Sequence, residues 1–178
     1  QRSDFMHRTE SGSYHRGSGY TAAYRRLRYG RMVFVLPDEG VTPESLLQSE
    51  GFLAELTGEY SGAELVWSVP KFDVKSSTDL KDILRTLGVT DAFDPNMADF
   101  TPLTDDGAMV DSVMQAARVK IDEEGVEAAA YTEIVAADSG PMELPPVVEM
   151  NLNRPFLFAI FDGSDVPLFI GTVYSVEG

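Results

Sequence analysis

The side chains used most often in hydrolytic catalysis, serine, histidine and aspartate, are all present, but histidine occurs only at His7 and His15. Both histidines lie in an arginine-rich first segment, and no Gly-x-Ser-x-Gly sequence places a serine on a nucleophile elbow. Two histidines without a nearby cluster of carboxylates also make a poor metal site. The chain is therefore predicted not to be an enzyme, and a hydrolase is kept only as a remote alternative.

An acidic stretch is the second candidate for chemistry, because carboxylates are calcium ligands. It lacks the Asp-x-Asp-x-Asp-Gly order that wraps such an ion, so we interpret it as a connecting loop capped by its own side chains. No metal and no cofactor are expected. The stretch comprises Asp91, Asp94, Asp99, Asp105 and Asp106.

The charge of the chain argues against some partners. The formal net charge is −15, so nucleic-acid phosphates and anionic membranes should be repelled, and neither is an expected partner. Residues 1–31 nevertheless hold seven arginines against Asp4 and Glu10, a balance of +5. A polyanion-binding patch is conceivable there, but the favoured interpretation is a solvated strand face with Arg25, Arg26 and Arg28 pointing outward.

The hydrophobic pattern predicts strands mixed with short helices. Residues 20–29 and 31–36 are predicted to form a hairpin. Thr42 is predicted to cap a short helix with Pro43 at its first position, and Ser49 to cap another. With 178 residues, of which 43% are hydrophobic, the chain is expected to bury one sizeable core. It has no cysteine and no apolar run long enough to span a bilayer.

Three further elements are predicted in the rest of the chain. A helix should run from Ser77 or Thr78 to Gly88 and pack by an apolar stripe. Residues 112–122 should form a strand, and residues 156–161 and 168–174 a hairpin buried on both faces. The stripe of the helix consists of Leu80, Ile83, Leu84 and Leu87. One face of the strand should consist of Val113, Gln115, Ala117, Val119 and Ile121.

Residues 126–137 follow a turn-like Glu-Glu-Gly and alternate at period two, with Glu127, Tyr131 and Glu133 on one face and small or aliphatic residues on the other. A face of small side chains suits a segment that slides between packed strands, because bulky side chains would displace their neighbours. An ordinary helix or exposed loop is the alternative, since residues 128–130 are alanines. The small face comprises Val126, Ala128, Ala130, Thr132, Ile134 and Ala136.

Several stretches of the chain carry a more specific pattern. They are FVLPDEG at 34–40, VPKF at 69–72, DLK at 79–81, LGVTDAF at 87–93, VKIDEEG at 119–125, EAAA at 127–130, MNLNRPFLFAI at 150–160 and LFIG at 168–171. In this order, and over nearly the whole chain, they resemble the serpins, the loop-inserting protease inhibitors. The match includes the family's hinge and its C-terminal signature.

The resemblance implies an α+β fold, the C-terminal part of the serpin fold, with large mixed sheets, short helices and an exposed reactive-centre loop at about residues 124–148. A complete serpin is considerably longer than this chain. Residues 1–178 would then be the C-terminal segment of a single serpin domain, as a cleavage product or a truncated chain that lacks the N-terminal half.

The resemblance also assigns candidate site residues. The reactive bond would be Ser139–Gly140, counted forward from the hinge, or Met142–Glu143, counted back from the paired prolines. Gln115 stands where the family commonly has a histidine, in the region where the central sheet opens. The hinge would comprise Glu124, Gly125, Val126, Glu127, Ala128, Ala129 and Ala130.

The implied function is suicide inhibition of a serine protease, elastase-like or subtilisin-like, in which the cleaved loop inserts into the central sheet and traps the acyl-enzyme. The main alternative is a non-inhibitory serpin that acts as a binding or carrier protein. Tyr131 stands where the family usually has a small residue. The segment alone is predicted to be inactive without the N-terminal half, and its open strand edges predict a homo-oligomer by strand pairing. An extracellular or secreted location is expected, with the signal outside this segment.

Overall fold

The computed structural model describes residues 5–104, 107–122 and 144–174. The chain divides into two compact units, Gln1–Phe72 with Lys120–Gly178, and Asp73–Val119. The described residues form strands β1 (Phe5–Gly17), β2 (Tyr20–Leu27), β3 (Gly30–Pro37), β4 (Ser61–Pro70), β5 (Phe72–Asp79), β6 (Met114–Ile121), β7 (Val147–Asn151), β8 (Phe156–Asp162) and β9 (Pro167–Val173), helices α1 (Pro43–Leu47), α2 (Phe52–Glu55) and α3 (Lys81–Thr86), and a 3₁₀ helix at Asp91–Phe93.

The first unit is built on a seven-stranded sheet with the strand order β7-β4-β1-β2-β3-β8-β9. The β4–β7 pair is parallel and the other neighbours are antiparallel. This mixed sheet with few short helices confirms the predicted α+β class. The predicted hairpin is confirmed as β2 and β3, but its turn is Arg28-Tyr29, and Gly30, the predicted junction, is the first residue of β3 and pairs with Leu27. A Cβ on Gly30 would lie 2.0 Å from the carbonyl oxygen of Phe161, so glycine lets β3 approach β8.

The longest strand, β1, has no hydrophobic alternation and was not predicted. Backbone pairing on both sides holds it instead: it pairs with β4 from Phe5 to Tyr14 and with β2 from Tyr14 to Gly17. Gly12 lies directly against Leu65, where a Cβ would come 2.5 Å from Leu65 Cδ1. A polar sequence therefore forms a central strand because its neighbours supply the ladder hydrogen bonds.

Helices α1 and α2 cover one face of this sheet. Thr42 caps α1 by accepting a hydrogen bond from the Ser45 amide at 3.3 Å, as predicted, and Pro43 is at the start of the helix. The predicted Ser49 cap is wrong, because Gly51 with φ 80° precedes α2 and bears no capping side chain. The core on this face comprises Tyr20, Ala22, Val33, Val35, Leu46, Phe52, Leu56, Leu157, Ala159 and Phe161.

Aromatic side chains form a second core on the opposite sheet face, because successive residues of a strand point to opposite sides. Phe34 lies edge-on to Trp67 with ring centroids 5.5 Å apart, and 6.4 Å from Phe156. Phe72 packs on Phe156 at 5.8 Å and on Phe158 at 5.6 Å. Burial on both faces, as predicted, is thus confirmed for β8.

The same prediction is wrong for β9. Leu168, Phe169 and Ile170 are 54%, 42% and 45% exposed, although their sequence is as apolar as that of β8. The reason is position, since β9 is the last strand of the sheet and β8 is flanked by β3 and β9.

The second unit contains most of the β5–β6 two-stranded sheet and α3. The predicted helix start at Ser77 or Thr78 is wrong, because β5 continues to Asp79, whose carboxylate accepts from the Lys81 amide at 2.9 Å. The helical stripe does not pack either, since Ile83 is 50% exposed and no residue of α3 is buried. Local hydrogen bonds, rather than a buried stripe, define this helix.

Candidate functional site

The candidate site is the segment between β6 and β7, and the structure describes both of its ends. On one side, β6 ends at Ile121, which is 5% exposed. On the other, β7 begins at Val147 and contains Met150, which is fully buried. The chain therefore leaves the two-stranded sheet after Ile121 and enters the edge strand of the seven-stranded sheet at Val147.

Strand β6 has a free edge in the described part of the chain, where it pairs only with β5. Arg118 fastens this pair by two hydrogen bonds of 2.7 Å to the carboxylate of Asp73, and these bonds raise the pKa of Arg118. Arg118 is exposed to solvent. No described strand pairs with this edge of β6, and an edge of this kind is where an added strand can pair.

Gln115 lies on β6 and is exposed. Ala117 and Val119, which share its parity, are half-buried and Ile121 is buried, whereas Arg118 and Lys120 between them are exposed, which confirms the common face. Because the Gln115 amide reaches solvent, its polar atoms carry no burial penalty here.

The C-terminal anchor is a parallel pairing that was not predicted. The carbonyl oxygen of Pro146 accepts from the Glu64 amide at 2.9 Å, and β7 then runs beside β4 from Val147 to Asn151. Val147 and Val148, placed in the predicted loop at 124–148, belong to this strand. The alternation of Val148, Met150 and Leu152 was the available signal.

The remaining predicted site residues lie outside the described residues. These are the hinge, Glu124, Gly125, Val126, Glu127, Ala128, Ala129 and Ala130, and the candidate bonds Ser139–Gly140 and Met142–Glu143. Leu144, the first described residue after them, is 82% exposed.

Among the residues that the structure describes, the two histidines do not form a recognisable catalytic arrangement. His15 Nδ1 lies 3.1 Å from the carbonyl oxygen of Glu59, and the ring packs 5.9 Å from Tyr20 and 5.8 Å from Tyr60. His7 is exposed and stacks near Phe5 at 6.3 Å. These contacts are those of side chains that stabilise the strand, not of a base held beside a nucleophile.

The acidic carboxylates that the structure describes accept hydrogen bonds from residues of their own loop, as predicted. Asp94 accepts from the Asn96 amide at 2.8 Å, and Asp99 accepts from the Thr101 hydroxyl at 2.7 Å, which holds the pKa of Asp99 below its usual value. Residues 5–104, 107–122 and 144–174 contain no group of three metal-binding side chains. No helix within those ranges is long and apolar enough to cross a membrane.

The outward orientation predicted for all three arginines of β2 and its turn is wrong for Arg25. Its side chain is only 13% exposed and lies 3.4 Å from Glu10. Arg26 and Arg28 are exposed as predicted and line an open groove of about 510 Å³ together with Tyr29. Arg25 turns inward because Glu10 on the neighbouring β1 offers it a carboxylate.

Comparison with known proteins places this architecture in one family. Residues 1–176 match the family described as Serpin (serine protease inhibitor). A serine proteinase inhibitor from Cavia porcellus is 37% identical over 151 residues, which is 79% of this chain and 34% of that protein. Iripin-5 from Ixodes ricinus is 37% identical over 132 residues, 72% of this chain and 33% of that protein.

Solved structures agree with this assignment. The thermophilic serpin tengpin in its native state is 30% identical with a TM-score of 0.76, and the match covers 98% of this chain and 46% of that chain. Thyroxine-binding globulin in complex with thyroxine is 28% identical with a TM-score of 0.74 and the same coverage. The chain belongs to the serpin family, and it spans about a third of the length of the curated relatives it matches.

Proposed function

We propose that this chain carries the reactive-centre loop of a suicide inhibitor of serine proteases. The observation that carries the proposal is the connection itself: one segment joins the free edge of β6 to the anchored strand β7. The family description, serine protease inhibitor, gives the class of target. The hinge and alternation of residues 124–137 supply a strand suited to the free edge.

The reaction follows from the two anchors. The protease serine attacks the carbonyl carbon of Ser139, the bond to the Gly140 nitrogen breaks, and the Ser139 carbonyl becomes an ester on the enzyme. The Gly140 side stays on β7. The Ser139 side, released from β7 but still continuous with β6, folds back along the free edge and carries the enzyme with it.

Alternation decides which residues of the inserted strand must be small. Ala128 and Ala130 would enter the sheet on the buried face, whereas Glu127 and Tyr131 would face solvent. An aromatic residue at Tyr131 is thus compatible with insertion. Backbone ladder bonds and burial of the small face make the cleaved form more stable, which drives the step.

We also propose that residues 1–178 are the C-terminal segment of a single serpin domain, because the chain covers 46% of tengpin and 34% of the inhibitor from Cavia porcellus. On this view the segment alone does not inhibit, since the N-terminal half would supply the strand on the other side of the insert. Its open edges predict a homo-oligomer by strand pairing. An extracellular location also stays a prediction.

The decisive experiment mixes the complete protein containing this segment with an elastase and, separately, with a subtilisin. We expect a covalent complex that survives SDS, with the ester between the protease serine and Ser139. Mass spectrometry of the C-terminal peptide after denaturation separates the candidate bonds, because this peptide starts at Gly140 in one case and at Glu143 in the other. Cleavage without any stable complex would overturn the proposal.

A matched pair of hinge variants tests the insertion step. Ala128→Arg places a long cation on the buried face and is expected to convert the inhibitor into a substrate, which is cleaved and released. Glu127→Arg adds the same side chain one residue earlier, on the solvent face, and should retain complex formation. Equal loss in both variants would contradict the assignment of the faces.

The second candidate function is a binding or carrier protein, favoured by the likeness to thyroxine-binding globulin in complex with thyroxine. This alternative predicts cleavage of the loop without a covalent complex and with no rise in melting temperature. Inhibition predicts the complex together with a large rise. The remote hydrolase alternative requires activity that is lost on replacing His7 or His15.

A further inference from the structure

A small void lies inside the seven-stranded unit, beneath β1 to β4. Its volume is about 20 Å³, which is enough for one water-sized occupant. Three of its lining residues, Met6, Arg8 and Arg25, belong to β1 and β2, and two aromatic ones, Phe34 and Trp67, belong to β3 and β4. The lining residues are Met6, Arg8, Arg25, Phe34, Trp67, Val69 and Ile121.

Two hydrogen-bond donors of this lining are buried and unused. Trp67 is 1% exposed, and its Nε1 has no hydrogen-bond partner among the described residues. Arg25 Nη2 is also buried and without a partner there. Unpaired buried donors are unfavourable and rare, so two that line one void indicate an acceptor between them.

The charge beside the void is positive. Arg8 Nε lies 2.8 Å from one oxygen of Glu10, and Arg25 Nε lies 3.4 Å from the other. Two guanidinium groups therefore share a single carboxylate. Burial lowers the pKa of Arg25. The Glu10 carboxylate acts to raise this pKa, and the positive charge of Arg8 lowers it further. One further negative charge would balance the group.

We propose that this void is a binding site for one monoatomic anion of the halide class, held by Trp67 Nε1–H and Arg25 Nη2–H. Water also fits the volume, but its two hydrogens need acceptors, and among the lining side chains only the weakly accepting sulfur of Met6 offers one. A halide accepts from both donors and requires nothing in return.

The test uses Trp67 as the reporter, since it is the only tryptophan of the chain. Bromide quenches indole fluorescence on contact, so titration of the chain at constant ionic strength in sodium sulfate should give saturable quenching. Chloride should reverse it by competition. Arg25→Gln should raise the apparent Kd at least tenfold. Arg26→Gln, which removes the same charge from the adjacent exposed residue, should leave the Kd unchanged.

A second measurement keeps the proposal testable if Arg25→Gln fails to fold. Trp67→Phe removes the N–H donor and keeps an aromatic ring, and chloride-35 line broadening reports binding without fluorescence. The broadening should be present in the parent chain and in Arg26→Gln, and lost in Trp67→Phe. Linear quenching with no chloride-35 broadening in the parent chain would overturn the proposal and leave the void to water.

Discussion

The two units of this protein differ in how they use apolar residues. Nearly all buried hydrophobic side chains that the structure describes belong to the unit with the seven-stranded sheet. Within the described part of Asp73–Val119, Phe93 is the only one, and Leu87 and Leu103 are 74% and 84% exposed. Apolar content alone does not make a core, because a stripe is buried only where another surface meets it.

This difference fits the proposed function. A two-stranded sheet is only marginally stable by itself, and exposed apolar side chains mark surfaces that another element covers. The unit that carries the free edge of β6 is therefore the one whose packing is incomplete. Such a region can accept a strand, whereas the seven-stranded sheet is already densely packed.

Hydrogen exchange should show the largest contrast between the units. Amides in β3 and β8 are expected to exchange only through global unfolding, at a cost of roughly 5–15 kcal/mol. Amides in β5 and β6 should exchange through local opening at a small fraction of that cost. Mass spectrometry measures the exchange, and equal protection of the amides in both sheets would contradict the difference in packing between the two units.

Side-chain truncation should give the next largest effect. Phe156 is fully buried, and Phe156→Ala should lower the free energy of unfolding by about 3–5 kcal/mol. Ile83, 50% exposed in the second unit, is the matched site, and Ile83→Ala should change it by no more than about 0.5 kcal/mol. Urea unfolding followed by circular dichroism measures both. Similar losses would show that the second unit is packed after all.

Alkaline pH should act on the first unit through Tyr60. Burial raises the pKa of Tyr60 to about 12 from 10.0, so the folded state holds this proton more tightly than the unfolded chain. The resulting stability is present below pH 10 and is lost as pH rises toward 12. Tyr60→Phe should flatten this part of the stability profile. Tyr29→Phe, at a ring that is 77% exposed, is the control and should leave the profile unchanged.

The smallest effect is expected for the ion pair between Arg118 and Asp73. The pair has good geometry, but Arg118 is 57% exposed and water and salt screen its charge. Arg118→Ala should leave global stability within experimental error and accelerate exchange of the neighbouring β5 and β6 amides. A clear loss of global stability would mean that the two sheets unfold as one.

Parts of the fold were predictable because they rest on local rules. The β2–β3 hairpin follows from its turn and hydrophobic runs, and the Thr42 cap from its side chain and Pro43. Strand β1 was not predictable, since its polar sequence is strand only by pairing with β4 and β2. The orientation of Arg25 likewise depends on Glu10, which lies on another strand.

The sequence by itself determined the family, the mixed α+β class, the alternation on β6 and the pattern of small residues at 126–136, because each is written in residue order and spacing. Tertiary structure alone decided that β8 is buried while the equally apolar β9 is exposed, and that β7 pairs with β4. It also decided that Arg25 and Trp67 line one void. Such features depend on which distant segments meet, and period and propensity carry no information about that.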